Sequence, residues 1–390
     1  MSENPPVETQ FYHFSPEHLP FQLVNGDTLP EVTLAYETYG ELNEAGDNAI
    51  LVFHALSGSQ HAAGYNPSVP GVEDFWTKDC QEGWWDAFIG ADRALNTDKF
   101  CVICINYLGG CYGSTGPSSI NPETGKPYGG LFPGLTFLDI VRSQKRVLGH
   151  LGVSKLHAVV GASVGGMIAL TFATHYPDFV EYVAVIGTGT SLSSLQRIHN
   201  HEQICAIQLD PHFNYGDYYD QPVRPKRGLA LARIIAHKTY VSIHTLEQRA
   251  SSEIIQPNPD SNLYQLSHQV ESYMHNNGNR FVKRFDSNTY LRIMEAWQRF
   301  DLAQQNGCDS VVEVLKRCRH QKFMVFSIDS DVCFYPDEQS DMVQQLKEAD
   351  VPCRYLTVHS DKGHDSFLLE PELFTPYLAY MLEHDWEFGK

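Results

Sequence analysis

No stretch of this chain comes near the roughly 18 consecutive apolar residues of a membrane-spanning helix, so none is expected. The opening MSENPPVETQ contains no basic segment leading into an apolar one, so no secretory leader is read there and a cytoplasmic location is expected. Cations are scarce: 28 Lys and Arg stand against 47 Asp and Glu, a formal net charge of −19. That balance opposes nucleic acid and anionic membranes as partners, because both are recognised through clustered positive charge. A small phosphate-bearing molecule needs only a local basic patch and is not excluded. The nine cysteines are odd in number and scattered, which suits free thiols rather than a disulfide framework. Cys101 and Cys104 form a C-x-x-C, but inside KFCVICINYL, an apolar run that reads as a buried strand. There is no G-x-x-x-x-G-K-[ST], so the glycines of LGGCYGSTGP are read as shaping a pocket rather than cradling phosphate. His54 and His61 have no evident third partner, and no metal site is expected.

Several apolar runs are present. AILVFHAL (49–56), KFCVICINYL (99–108), LHAVVG (156–161), YVAVIG (182–187), KFMVFSID (322–329) and CRYLTVHS (353–360) read as strands, most of them covered on both faces. Between them lie helical patterns. One spans 136–152, with Leu138, Val141, Leu148 and Leu151 at helical spacing and Gly152 as its stop. Another runs from Val164 to Tyr176 before Pro177. Others follow near EQSDMVQQLKEA and within PELFTPYLAYMLEHDW. A hairpin is signalled at Asn25-Gly26-Asp27, and the first 20 residues or so are expected to be a loose arm. Alternating strands and helices imply an α/β fold with a mostly parallel sheet. The alternation stops over 190–305, which is polar, aromatic and helix-compatible. The expected organisation is a core in two parts, 1–189 and 306–390, interrupted by a helical lid, 190–305.

The sequence GASVGGM (161–167) contains G-x-S-x-G around Ser163. Alone the match is weak, but it follows an apolar strand and opens a helix, the setting of a nucleophile elbow. A serine hydroxyl needs a base to remove its proton, and in this arrangement acid and base follow in chain order, in loops after late strands. His364, in the loop after CRYLTVHS, is the candidate base; His384 falls in the final helix. For the acid, Asp331, Asp329 and Asp337 all lie near the end of KFMVFSID. An oxyanion needs two backbone N–H donors. Val164 follows the serine, and Leu56 in HALSGSQHAAG supplies the second candidate.

These pieces resemble the homoserine O-acetyltransferases of the α/β-hydrolase fold. The likeness covers nearly the whole chain: HALSGSQHAAG, GWWDAFIG, LGGCYGSTGPSSINPETGKPYG, GASVGGM, RGLALARIIAHKTY, the ESY…RFDSNTYL region, SDVCFYPDEQS and GHDSFL. The resemblance implies a triad of Ser163, Asp331 and His364, favouring Asp331 among the three acids. It implies Arg233 as receiver of an amino acid's carboxylate, Asp365 as receiver of its amino group, and Tyr240 as a pocket residue. It further implies acetyl-CoA as co-substrate with no resident cofactor, L-homoserine as acceptor, a place in methionine synthesis, and a homodimer. Independently of any family, a zwitterionic acceptor requires one cation and one anion at opposite ends of its site, and an arginine fork suits the carboxylate. The chain departs from the family in GASVGGM, where G-G-S-M-G-G-M is usual, and at Val332, where tryptophan is usual. Related succinyl-transferring proteins carry an arginine two residues after the catalytic aspartate. Here Cys333 stands at that place and pairs no charge, which favours acetyl. A succinyl-CoA-dependent homoserine or serine O-succinyltransferase and a simple esterase are the alternatives.

Overall fold

Five apolar runs form the centre of an eight-stranded sheet, and their burial on both faces explains why they do not alternate with polar residues. The computed structural model describes residues 6–14, 20–255 and 265–384. The strands are β1 (Gln10–His13), β2 (Thr33–Tyr39), β3 (Ala49–Phe53), β4 (Cys101–Ile105), β5 (Leu156–Ala162), β6 (Val180–Ile186), β7 (Lys322–Ile328) and β8 (Cys353–Val358). Their spatial order is β1-β2-β4-β3-β5-β6-β7-β8. From β4 to β8 all neighbours are parallel; β1–β2 and β2–β4 are antiparallel. The last strand is an edge, and accordingly leaves Arg354, Tyr355 and Thr357 exposed.

The loose N-terminal arm is overturned in part. Gln10–His13 pairs with Thr33–Tyr39 as the other edge of the sheet, with Phe11 opposite Ala35. Four residues are too few to display a period, and the pairing partner is distant in sequence, so local pattern does not announce it. Residues 1–5 and 15–19, also within that expected arm, lie outside the described residues.

The hairpin at Asn25-Gly26-Asp27 joins Phe21–Gln22 to Thr28–Leu29. The helix α1 (Phe137–His150) begins on a reciprocal cap, in which Asp139 N–H donates to Thr136 Oγ1 and Thr136 N–H to Asp139 Oδ2. The same carboxylate accepts Val24 N–H at 2.8 Å, which ties the hairpin to the helix. Its core face is Ile140, Val141, Val147 and Leu148, whereas Leu138 and Leu151 are only half-buried.

Between β6 and β7 the described chain forms no strand that joins the sheet. With α2 (Val164–His175) joining β5 to β6, this later segment forms α3 (Ser194–Gln208), α4 (Lys226–Tyr240), α5 (Ile243–Ala250), α6 (Gln269–Phe281), α7 (Ser287–Gln298) and two short helices at Leu302–Gln305 and Val311–Leu315. The α4–α5 junction is fastened to the loop after β8: Ser242 Oγ donates to the Asp361 carbonyl, and Thr245 Oγ1 donates to the same oxygen at 2.8 Å. These helices therefore reach the segment that carries His364.

Candidate active site

Ser163 stands between β5 and the helix Val164–His175 with φ 58° and ψ −131°, a strained conformation for a non-glycine residue. Its surroundings hold it there. Ser163 N–H donates to Ile186 O at 2.9 Å, and its carbonyl accepts Thr188 Oγ1 at 2.8 Å. The flanking glycines are required by space: a Cβ on Gly161 would lie 2.2 Å from the Gly165 carbonyl oxygen, and one on Gly165 would lie 2.3 Å from that of Phe53. G-x-S-x-G here is the composition that lets strand, turn and helix approach this closely. Gly165→Ala is therefore expected to cost about 1–3 kcal/mol of stability, read by urea unfolding. Gly149→Ala, where a Cβ meets nothing within 4 Å on the helix α1, is expected to be neutral or stabilising.

His364 and Asp331 meet across the loops that follow β8 and β7. His364 Nδ1 lies 2.6 Å from Asp331 Oδ2, and both side chains are buried. The other carboxylate oxygen, Oδ1, accepts Cys333 N–H at 2.7 Å and Phe334 N–H at 2.9 Å, which locks the carboxylate in place. With Nδ1–H directed at Asp331, Nε2 carries the lone pair. That atom is buried and has no partner among the described residues. Burial alone would lower the imidazole's pKa, but the charge and hydrogen bond of Asp331 outweigh it and raise it above its ordinary value. Phe334 stacks on the ring at 5.4 Å and Phe367 meets it edge-on at 5.5 Å, which fixes its plane.

The rival acids are occupied elsewhere. Asp329 pairs with His359 at 2.8 Å on the surface and also accepts Ser360 N–H. Asp337 is exposed in the first turn of the helix Pro336–Glu348. His359 corrects the sequence reading: β8 ends at Val358, so this histidine is a second loop histidine after the last strand, 83% exposed. His384 follows the last helix, which ends at Glu383.

Ser163 and His364 open into a cavity of about 430 Å³ whose wall also includes Leu56, Arg233, Tyr240 and Asp365. Arg233 lies over the rings of Tyr240 (5.1 Å) and Phe281 (4.9 Å). Among the described residues no carboxylate lies within 4 Å of its guanidinium. Asp365 is half-buried, and burial raises its carboxyl's pKa against the opposing pull of His364 and Arg233. Burial also pushes the Tyr240 phenol well up. Val164 opens its helix, so its N–H has no intrahelical acceptor. The Leu56 loop is held on several sides. Tyr107 OH donates to the His54 carbonyl, and Arg284 Nη1 donates to Ser57 O at 3.2 Å.

The histidines of HALSGSQHAAG serve this loop. His54 stacks on Tyr107 at 3.6 Å, and burial lowers its pKa to about 4. His61 lies 2.8 Å from Glu37 Oε2 and 3.0 Å from Gln81 O, so both ring nitrogens face acceptors. Sequence reasoning missed Arg280, Phe281 and Arg284 in the cavity wall. The two arginines stand four apart in sequence, but Arg280 lies in the last turn of α6 and Arg284 in the turn that follows it, so no helical period marks them as a pair.

Residues 48–371 match the family model of the alpha/beta hydrolase fold. The chain is 43% identical over 364 residues to a homoserine O-acetyltransferase of Methanobrevibacter ruminantium, covering 93% of this chain and 71% of the relative. It is 42% identical over 386 residues to a homoserine O-acetyltransferase of Solidesulfovibrio magneticus, covering 97% and 92%. The chain belongs to the homoserine O-acetyltransferase family. Within that family's surroundings it is also 41% identical to a homoserine O-succinyltransferase of Halorhodospira halophila, over 93% of this chain and 92% of the relative. Among solved structures, the homoserine O-acetyltransferase of Bacillus anthracis superposes with a TM-score of 0.86 at 27% identity, covering 98% of this chain and 99% of that one. Esterase E22 superposes at 0.84 with 28% identity, covering 97% and 100%.

Proposed function

We propose that this acyltransferase moves an acetyl group from acetyl-CoA to the side-chain hydroxyl of L-homoserine, through an acetyl-Ser163 intermediate. The observation that carries the reading is a cation and an anion, Arg233 and Asp365, in the wall of the cavity that Ser163 and His364 share. An esterase has no use for that pair; an enzyme that must hold a zwitterion beside a serine has. His364 takes the Ser163 proton as the hydroxyl attacks the thioester carbonyl, and the N–H groups of Leu56 and Val164 receive the oxyanion. The C–S bond breaks, and His364 returns the proton to the leaving CoA thiolate. Homoserine then binds with its carboxylate on Arg233 and its ammonium on Asp365. His364 deprotonates the homoserine hydroxyl, which attacks the acetyl-serine ester; the acyl C–Oγ bond breaks, and His364 returns the proton to the Ser163 oxygen. Asp331 keeps the imidazole in the required tautomer and stabilises its cation. The product, O-acetylhomoserine, fits a role in methionine synthesis in the cytoplasm.

Water competes with the acceptor at every turnover. The helices between β6 and β7 act as a lid over the site, which lowers water access and holds the alcohol in line. Leu195, Ile198, Leu231, Ile243 and Ile254 are apolar and exposed on or near these helices, which supports a homodimer joined through the lid.

A second reading, succinyl transfer, is favoured by the Halorhodospira halophila relative and by Arg280 and Arg284 in the cavity wall. Cys333, buried and uncharged behind Asp331, favours acetyl. Incubation with acetyl-CoA or succinyl-CoA, with and without homoserine or serine, followed by product mass spectrometry, separates these readings. Equal thiol release with and without any acceptor would favour an esterase. Arg233→Gln is expected to raise KM for homoserine about 10–100-fold through loss of charge-assisted hydrogen bonds. The burst of CoA thiol in the first half-reaction is expected to stay unchanged in stopped-flow.

A further inference from the structure

A second cleft, of about 470 Å³, adjoins the cavity of Ser163. Two segments divide the clefts. Asp74, Phe75 and Thr77 line the second cleft while Asp79 lines the first; Val282, Lys283 and Phe285 line the second while Arg280, Phe281 and Arg284 line the first. The rim between them is crossed by the Arg280–Asp79 ion pair, 3.0 Å long and exposed.

The second cleft is basic in a chain of net charge −19. Arg224, Lys226 and Lys283 line it. Lys226 and Lys283 are exposed, and among the described residues neither is in an ion pair. Its two carboxylates are engaged. Asp286 accepts Tyr218 OH and Tyr219 OH at 2.8 Å each and caps the helix α7 through Thr289 N–H. Asp74, largely exposed, holds Arg224 at 3.1 Å, a kind of pair that contributes little. The Arg224 guanidinium lies 5.5 Å from the centre of the Phe75 ring. The cleft thus offers a flat cationic and aromatic surface beside two free ammonium groups, chemistry suited to a purine joined to phosphates.

We propose that this cleft holds the phosphorylated adenosine end of the CoA donor, with the pantetheine arm crossing the Arg280–Asp79 rim to bring the thioester to Ser163. Lys226 and Lys283 meet phosphate oxygens, and the adenine lies against Phe75 and Arg224. The inference rests on the acyl-CoA reading given above.

The test is the double variant Lys226→Gln/Lys283→Gln, assayed with acetyl-CoA and with acetyl-pantetheine, which lacks the nucleotide. Both lysines are exposed, so folding is expected to be undisturbed. KM for acetyl-CoA is expected to rise tenfold or more, while kcat, KM for acetyl-pantetheine and KM for homoserine stay as in the parent. Calorimetry with adenosine 3′,5′-bisphosphate is expected to show binding to the parent, weakened by added salt, and a comparable loss in the variant. A variant whose KM for acetyl-CoA equals the parent's, or rises equally for both thioesters, would overturn the assignment while leaving the acyltransferase reading intact. A parent enzyme that turns over neither thioester would overturn the acyl-CoA reading itself.

Discussion

Ser163→Ala is expected to lower kcat for acetyl transfer by about 10⁵-fold, with a residue of activity from the oxyanion donors and substrate binding alone. The size follows from the mechanism. Without the Oγ there is no covalent intermediate, and homoserine would have to attack the thioester directly with no pre-positioned geometry for that step. The fold should hold, because Ser163 is fixed through its backbone N–H and carbonyl rather than through its hydroxyl. Thermal unfolding close to the parent's, together with retained homoserine binding, would separate lost chemistry from lost structure. A kcat within tenfold of the parent would remove this serine from the reaction.

Asp331→Asn is expected to cost about 10⁴-fold in kcat, and the hydrogen bonds say why. Oδ1 accepts two backbone N–H groups, from Cys333 and Phe334, so the amide oxygen of asparagine would take that side. Its NH₂ would then face His364 Nδ1 and force that nitrogen to accept. The proton would move to Nε2, where the serine needs a lone pair. The pH profile should change as well. Protonated His364 cannot accept the serine proton, so kcat/KM falls as pH drops through the imidazole pKa. Asp331 raises that pKa above its ordinary 6.5, so the acid limb of the parent lies above 6.5. Removing the carboxylate charge moves the limb of any residual activity to lower pH. Asp329→Asn is the control: its partner is the exposed His359, and turnover within twofold of the parent is expected.

The middle of the sheet was legible because burial on both faces writes itself as unbroken apolar runs, as in AILVF and CVICI. The turn at Ser163 was legible for a related reason, since only glycine tolerates a carbonyl oxygen at the 2.2–2.3 Å that Gly161 and Gly165 would impose on a Cβ. What escaped depends on distant partners. Gln10–His13 becomes a strand only because Thr33–Tyr39 leaves an edge open. The choice among Asp329, Asp331 and Asp337 could not be made from spacing, because all three lie within one loop and helix start. Space separates them: the neighbouring backbone N–H groups of Cys333 and Phe334 turn Asp331 inward, while His359 holds Asp329 at the surface. The end of β8 misled in the same way, since a strand's last residue is set by its neighbour's length and not by its own pattern. Arg280 lies in the last turn of α6 and Arg284 sits in the turn after it, so no single periodicity joins them; the cavity they share is set by how the end of α6 packs.

The central claim is that the acyl group rests on Ser163 between two half-reactions. It is tested most directly by mixing the enzyme with acetyl-CoA in the absence of homoserine, quenching in acid, and mapping the mass of its peptides. One acetyl group on the peptide that carries Ser163, lost again when homoserine is added before the quench, is the predicted result. CoA release in step with O-acetylhomoserine formation, with that peptide unmodified at every time point, would contradict it.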